Sequence, residues 1–136
     1  MAETTDLDPT IAQAMEAFND HDTERLMAEF AEDVTFSDPF QDELNKSDLR
    51  AFTAEVFEAF PDVRYEQHRV ISGDERATAV EVTIHGTHEG EFNGIPPTGQ
   101  AVALPGVTII DVAEEGITSW RDYFDKQSFA EQLGLE

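Results

Sequence analysis

The sequence predicts an α+β domain, helices first and sheet second, with the helices packed on one sheet face. Three observations carry this reading. Apolar residues recur at helical spacing up to Phe60, the period changes to strand-like alternation from Val63, and turn chemistry separates the later strands in pairs. At 136 residues the chain reads most simply as one domain spanning 1–136, with 40% apolar residues to build one core.

Residues 1–8 are polar and are expected to fray. Asp8 followed by Pro9 marks a helix start, the acid as cap and the proline at a first-turn position. Ile11, Met15 and Phe18 continue that helix on one stripe. "NDHD" (19–22) breaks the pattern, and a second short helix carries Leu26, Met27 and Phe30. Val34 to Ser37 reads as a short strand ended by Asp38-Pro39. A third helix, 47–60, opens with Ser47 as cap and places Leu49, Phe52, Val56 and Phe60 on one stripe before Pro61 stops it. Four strands follow, at about 63–72, 76–88, 100–113 and 116–125, in the manner of an antiparallel meander. Gly73-Asp74 turns the first pair and Glu114-Glu115-Gly116 the last. The loop between them, "EFNGIPPTG" (91–99), is rich in Gly and Pro, and a short amphipathic helix closes the chain behind Asp125 as its cap.

The formal charge is −22, from 30 acidic against 8 basic residues, of which only Lys46 and Lys126 are lysines. The acids are scattered between periodic apolar residues and ten Phe, so they form a solvated surface on a folded domain rather than a disordered acidic tail. Such a halophilic acidic surface resembles proteins adapted to high intracellular salt. It argues against nucleic acid, which needs a basic face. No long apolar run or signal-peptide pattern is present, so a membrane partner is not expected and a cytoplasmic location is. Without Cys, thiol chemistry and Cys-ligated metal are excluded, and no H-x-x-H or carboxylate-rich spacing suggests another metal site.

Alternation in "SWRDYFD" (119–125) puts Trp120, Asp122 and Phe124 on one strand face and Arg121, Tyr123 and Asp125 on the other. A carboxylate between two large aromatics is an expensive thing to bury unpaired. Its ordinary explanation is an ion pair with an Arg or a turn cap; its functional one is a pocket acid.

"AFNDHDTERLMAEFAEDVTFSDP" (17–39), "GTHEGEFNGIPPTG" (86–99) and "GITSWRDYFD" (116–125) together resemble the SnoaL-like polyketide cyclases of the nuclear-transport-factor-2-like superfamily. The resemblance covers nearly the whole chain. It implies a strongly curved, mostly antiparallel sheet wrapped by helices into a cone around an apolar pocket, homodimers pairing through the sheet, and ring closure by an intramolecular aldol step on a small apolar ligand without metal or cofactor. It makes Asp122 the general base, a role that desolvation by Trp120 and Phe124 would favour by raising its pKa. Trp120, Phe124, Asp38, Phe36 and Ile95 become ligand-binding candidates. The family pattern places a helper His on the strand before the Asp strand, where this chain reads "VALPGVTII" (102–110). His88 and His85 in "IHGTH" are then the candidate acids or oxyanion donors.

Alternatives stay open, two of them enzymatic. The same Asp strand is similar to that of limonene epoxide hydrolases, although Glu81 and Thr83 stand where their Arg and Asp partners would be; a ketosteroid-isomerase-like proton shuttle would instead need an oxyanion donor such as Tyr65 or Tyr123. The other alternative is a non-catalytic ligand-binding domain that keeps the pocket, since fold does not fix function.

Overall fold

The computed structural model describes residues 7–72 and 77–135; of residues 1–8, expected to fray, 1–6 lie outside them, as does the Gly73-Asp74 turn, whereas Leu7 packs against the core and Asp8 caps the first helix. Helix α1 (Pro9–Asn19) starts as expected, with the Asp8 carboxylate accepting from the Thr10 N–H. α2 (Thr23–Ala28) is capped by Asp22 and ends before Phe30, which begins strand β1 (Phe30–Asp38) instead of closing the helix. β2 (Gln41–Leu44) was not anticipated. "QDEL" has no apolar alternation, and it is a strand because the turn after Asp38 folds it back on β1. α3 (Lys46–Ala59) begins one residue earlier than expected, because Asn45 rather than Ser47 caps it, its side-chain oxygen accepting from Asp48 N–H at 2.8 Å.

The four later strands are β3 (Arg64–Ser72), β4 (Ala77–Thr87), β5 (Ala101–Ala113) and β6 (Gly116–Phe124), close to the predicted spans and antiparallel in sequence order. β1 then joins β6 in parallel, giving one six-stranded, mostly antiparallel sheet in the order β2-β1-β6-β5-β4-β3, curved and unclosed. α4 (Lys126–Leu133) closes the chain behind Asp125, whose carboxylate accepts from the Gln127 and Ser128 N–H groups.

Alternation gives the sheet an inner and an outer face. Val80 and Val82 of β4, Val102, Leu104, Thr108 and Ile110 of β5, and Trp120 and Asp122 of β6 are buried on the inner side. One core cluster lies there under α1 and α2, around Ile11, Met15, Ile110 and Ile117. A second gathers Phe60, Phe92, Leu104 and Phe129 where the end of α3, the 88–100 loop and α4 meet. Each fully buried aliphatic side chain contributes about 1.5–3 kcal/mol by leaving water. Gly106 is required by close approach: a Cβ there would lie 2.3 Å from the Tyr123 carbonyl oxygen, so only glycine lets β5 and β6 run this close one step from Asp122. No helix among the described residues is long and apolar enough to cross a membrane.

Candidate functional site

β6 carries Trp120, Asp122 and Phe124 on the inner face, as alternation requires, and Asp122 is only 6% exposed. Three donors meet its carboxylate. Thr108 of β5 stands directly opposite, and its hydroxyl donates to Oδ1 at 2.6 Å. The Trp120 indole N–H donates to the same oxygen at 3.1 Å. The Tyr65 hydroxyl, reaching in from β3, donates to Oδ2 at 2.8 Å. Among the described residues no cation pairs with it, and the buried charge is held by these neutral dipoles. Each carboxylate oxygen accepts about two hydrogen bonds. Among the described residues Oδ1 therefore has its share, while Oδ2 accepts one such bond and has room for a proton.

Burial pushes the Asp122 pKa up to about 6; the bonds from Thr108, Tyr65 and Trp120 oppose the shift, and the charge of Asp38 adds to it. Burial, and then the neighbouring Asp122, hold Tyr65 well above the usual phenol range, so it stays a donor. Asp38, on the same face of β1 as Phe36, is a second half-buried carboxyl. Burial raises its pKa too, against hydrogen bonds from the Phe40 N–H at 2.9 Å and the Gln41 side chain.

Asp122 and Asp38 line a cavity of about 110 Å³ whose walls are otherwise mostly apolar and aromatic, including Phe36, Phe40, Phe60 and Phe92. An apolar cavity of about 150 Å³ accepts benzene, so this space suits a compact ligand of similar or smaller size. No Lys or Arg lies among the described lining residues.

Trp120, Phe124, Asp38 and Phe36 are thus brought together with Asp122 around one cavity. Of the other candidates, His88 and Ile95 lie outside the lining. His85 borders the cavity, but its ring is engaged with Glu66 on the outer side, Nε2 to Oε1 at 2.7 Å. His88 is 0% exposed and is not among the described lining residues. Its Nδ1 accepts from the Thr98 N–H at 3.2 Å and lies 3.1 Å from the Thr98 hydroxyl, its ring stacks on Phe60, and burial lowers its pKa. That imidazole is a neutral strut for the 88–100 loop. Ile95 is half-buried outside the lining; Phe92, bridged to it by two backbone hydrogen bonds, enters the cavity instead. Asp125 is the helix cap described above.

Sequence reading missed Thr108 and Phe92. Thr108 was within reach of strand counting, except that a bulge between Asp111 and Val112 shifts the register by one; a regular hairpin from Ala113↔Gly116 would set Val107 opposite Asp122. Among the described residues no group of three or more His, Asp or Glu could hold a metal ion.

Because Trp120 is the chain's only tryptophan and its indole N–H bonds Asp122, its indole proton shift and fluorescence are expected to titrate with a midpoint near pH 6. The transition is expected to vanish in Asp122→Asn. A flat Trp120 response from pH 4.5 to 8 in the wild type would contradict this description of the carboxyl.

The curved, unclosed and mostly antiparallel sheet with its N-terminal helices is a nuclear-transport-factor-2-like fold of cyclase or isomerase type. Within that class the family model of SnoaL-like polyketide cyclases matches residues 10–133, and the chain belongs to that family. No curated protein matches the chain. Among solved structures it is similar to IdmH of Streptomyces antibioticus, provisionally named a polyketide cyclase (25% identity, 92% of this chain and 96% of that one, TM-score 0.77). It is similar also to a provisionally named polyketide cyclase of Xanthomonas campestris pv. campestris (24%, 91% and 93%, TM-score 0.82). A third is a protein of Catenulispora acidiphila with a ketosteroid isomerase-like fold, in complex with trimethylamine (19%, 94% and 94%, TM-score 0.80). The last two likenesses carry the fold alone.

Proposed function

We propose that the protein is a cofactor-free acid–base enzyme of cyclase or isomerase type, acting on a small apolar carbonyl compound inside the cavity. The observation that carries the proposal is Asp122: a carboxyl with a pKa raised to about 6, held in an apolar cavity by three donors among the described residues, two on Oδ1 and one on Oδ2. At neutral pH it is ionised, yet it is a stronger base than a solvated carboxylate. Oδ2 takes a proton from a carbon next to the substrate carbonyl, and the electron pair left behind is delocalised as an enolate. In a ring closure the enolate carbon attacks a second carbonyl carbon of the same molecule, and the resulting alkoxide takes the proton back from Asp122. In an isomerisation the proton returns to another carbon. Either way the carboxylate is regenerated and nothing is oxidised or reduced. The cavity contributes by orienting a compact substrate.

Deuterium exchange from D₂O into C2 of methyl acetoacetate and into the α-carbons of small cyclic ketones tests this reading. Exchange is expected to be faster with the wild type than with Asp122→Asn. Compounds that perturb Trp120 fluorescence without exchanging faster than in the variant would favour the binding-domain alternative.

The protein is further proposed to act as a homodimer through the outer sheet face. Ile71 is 40% and Tyr123 53% exposed on that face, and Arg64, Arg69 and Glu66 offer both signs of charge beside them, which suits a two-fold pairing. Sedimentation is expected to give twice 15.2 kDa, and Tyr123→Lys to shift it toward the single-chain mass. A monomeric wild type at micromolar concentration would remove this part of the proposal. The acidic surface suits a cytoplasm of high salt.

A further inference from the structure

We infer that Asn19 is a positioning residue for Asp122: its carboxamide grips the backbone of Tyr65 and so sets the phenol–carboxylate hydrogen bond in the cavity. β3 is an edge of the sheet, and an edge strand presents unpaired backbone groups. Here the end of α1 and the turn after it cover that edge with side chains. The Tyr65 N–H donates to Asn19 Oδ1 at 2.8 Å, and Asn19 Nδ2 donates to the Tyr65 carbonyl at 3.1 Å. Two residues earlier, His21 Nε2 lies 2.7 Å from the Val63 carbonyl oxygen. The two Asn19 bonds reproduce what a neighbouring strand would offer, but to one residue only, and that residue is the one whose hydroxyl reaches Asp122.

The rest of Tyr65 is fixed to match. Its ring lies between Phe18, the neighbour of Asn19, at 4.8 Å and Trp120 at 6.1 Å between centroids. Its side chain thus spans from a backbone anchored on α1 to Oδ2 of Asp122 at 2.8 Å. With the backbone of an edge strand released, the phenol would swing on that lever, and a charge-assisted hydrogen bond weakens steeply with angle and length. Among the described residues the titratable groups acting on Asp122 are Tyr65 from β3 and Asp38 from β1, while His85 of β4 borders the same cavity with its ring engaged by Glu66. Only the first is touched by Asn19.

This role rests on Asp122 being the acid–base group proposed above, and the two questions are read separately. Asn19→Ala is expected to raise the Trp120-reported midpoint of Asp122 by about 0.5–1 pH unit, a three- to tenfold weaker acid, because a bond that favours the carboxylate is loosened. Tyr65→Phe is expected to raise it at least as far, and Asn19→Ala added to Tyr65→Phe to move it no further. His21→Asn, which loses the contact to Val63 but leaves Tyr65 held, is expected to lower the melting temperature with the midpoint unchanged. If Asn19→Ala does not fold, Asn19→Ser is titrated on the same criterion. An unmoved midpoint in the Asn19 variant, with or without a lowered melting temperature, overturns the inference, as does full additivity with Tyr65→Phe. A moved midpoint in a wild-type background that catalyses no deuterium exchange leaves Asn19 as the positioner of Asp122 and removes only the enzymatic reading.

Discussion

Replacing Asp122 by Asn is expected to lower turnover by about 10²–10⁴-fold, the usual contribution of a positioned base, while making the protein more stable at neutral pH. The second effect follows from the same burial as the first. The carboxyl's pKa rises from 3.8 to about 6 in the folded chain, so the fold binds the proton more tightly than the unfolded chain does. The stability tied to that proton is fully present below about pH 3.8 and is lost as pH rises through 6, about 3 kcal/mol in all. Asn stays neutral throughout and its amide can still accept from Thr108 and Trp120 while donating to the Tyr65 oxygen. Urea unfolding is expected to find the variant more stable than the wild type by up to about 3 kcal/mol at pH 8 and nearly equal to it at pH 4. A variant less stable than the wild type at pH 8 would mean that the ionised carboxylate is a structural strut, and the catalytic reading would lose its physical basis. Surface acids titrate alike in both proteins and cancel in the difference.

Phe92→Ala is expected to cost about 3–5 kcal/mol, the range for truncating a buried aromatic. Phe92 is nearly fully buried and packs against Phe40, Phe52, Phe60 and Phe129 with centroids 5.5–6.2 Å apart. It is also the point at which the 88–100 loop enters the cavity wall, so its loss removes both core area and the loop's grip. Hydrogen exchange is expected to speed up in residues 88–100 and at the end of α3, where the Glu89 and Gly90 N–H groups donate to the Ala59 carbonyl. A cost below about 1 kcal/mol would show that the loop is held by its polar bonds, those to the Ala59 carbonyl and between His88 and Thr98, rather than by Phe92.

The parts of the fold legible in the sequence were those governed by local rules. Asp8-Pro9 and Asp125 announced their helices through cap chemistry, and alternation in "SWRDYF" identified the face on which Asp122 lies. Polar "QDEL" gave no signal because only the partner strand makes it β, and Ser47 competed with Asn45 for a cap that either could form. The site was half legible for the same reason. The acid and its flanking aromatics share one strand, whereas its donors come from elsewhere in the chain: Tyr65 by way of β3, and Thr108 through a one-residue bulge that counting from the turn does not reveal. Choosing between Ile95 and Phe92 needed the loop's conformation, with Asn93 and Gly94 both at positive φ, where side-chain periodicity has no meaning.

The parallel pairing of β1 with β6 has a consequence for the order in which the molecule can be made. β1 holds Phe36 against Trp120, yet the ribosome delivers these two strands some eighty residues apart. Until β6 emerges, β1 has only the four-residue β2 beside it, and one wall of the cavity, with Phe36 and Asp38 on it, has nothing to close against. The carboxylate strand is thus also the keystone strand, because the same residues that furnish the acid complete the sheet. A nascent chain that stalls before Gly116 would present an aromatic-lined, half-built sheet with an open strand edge, the form most prone to pair with another copy of itself.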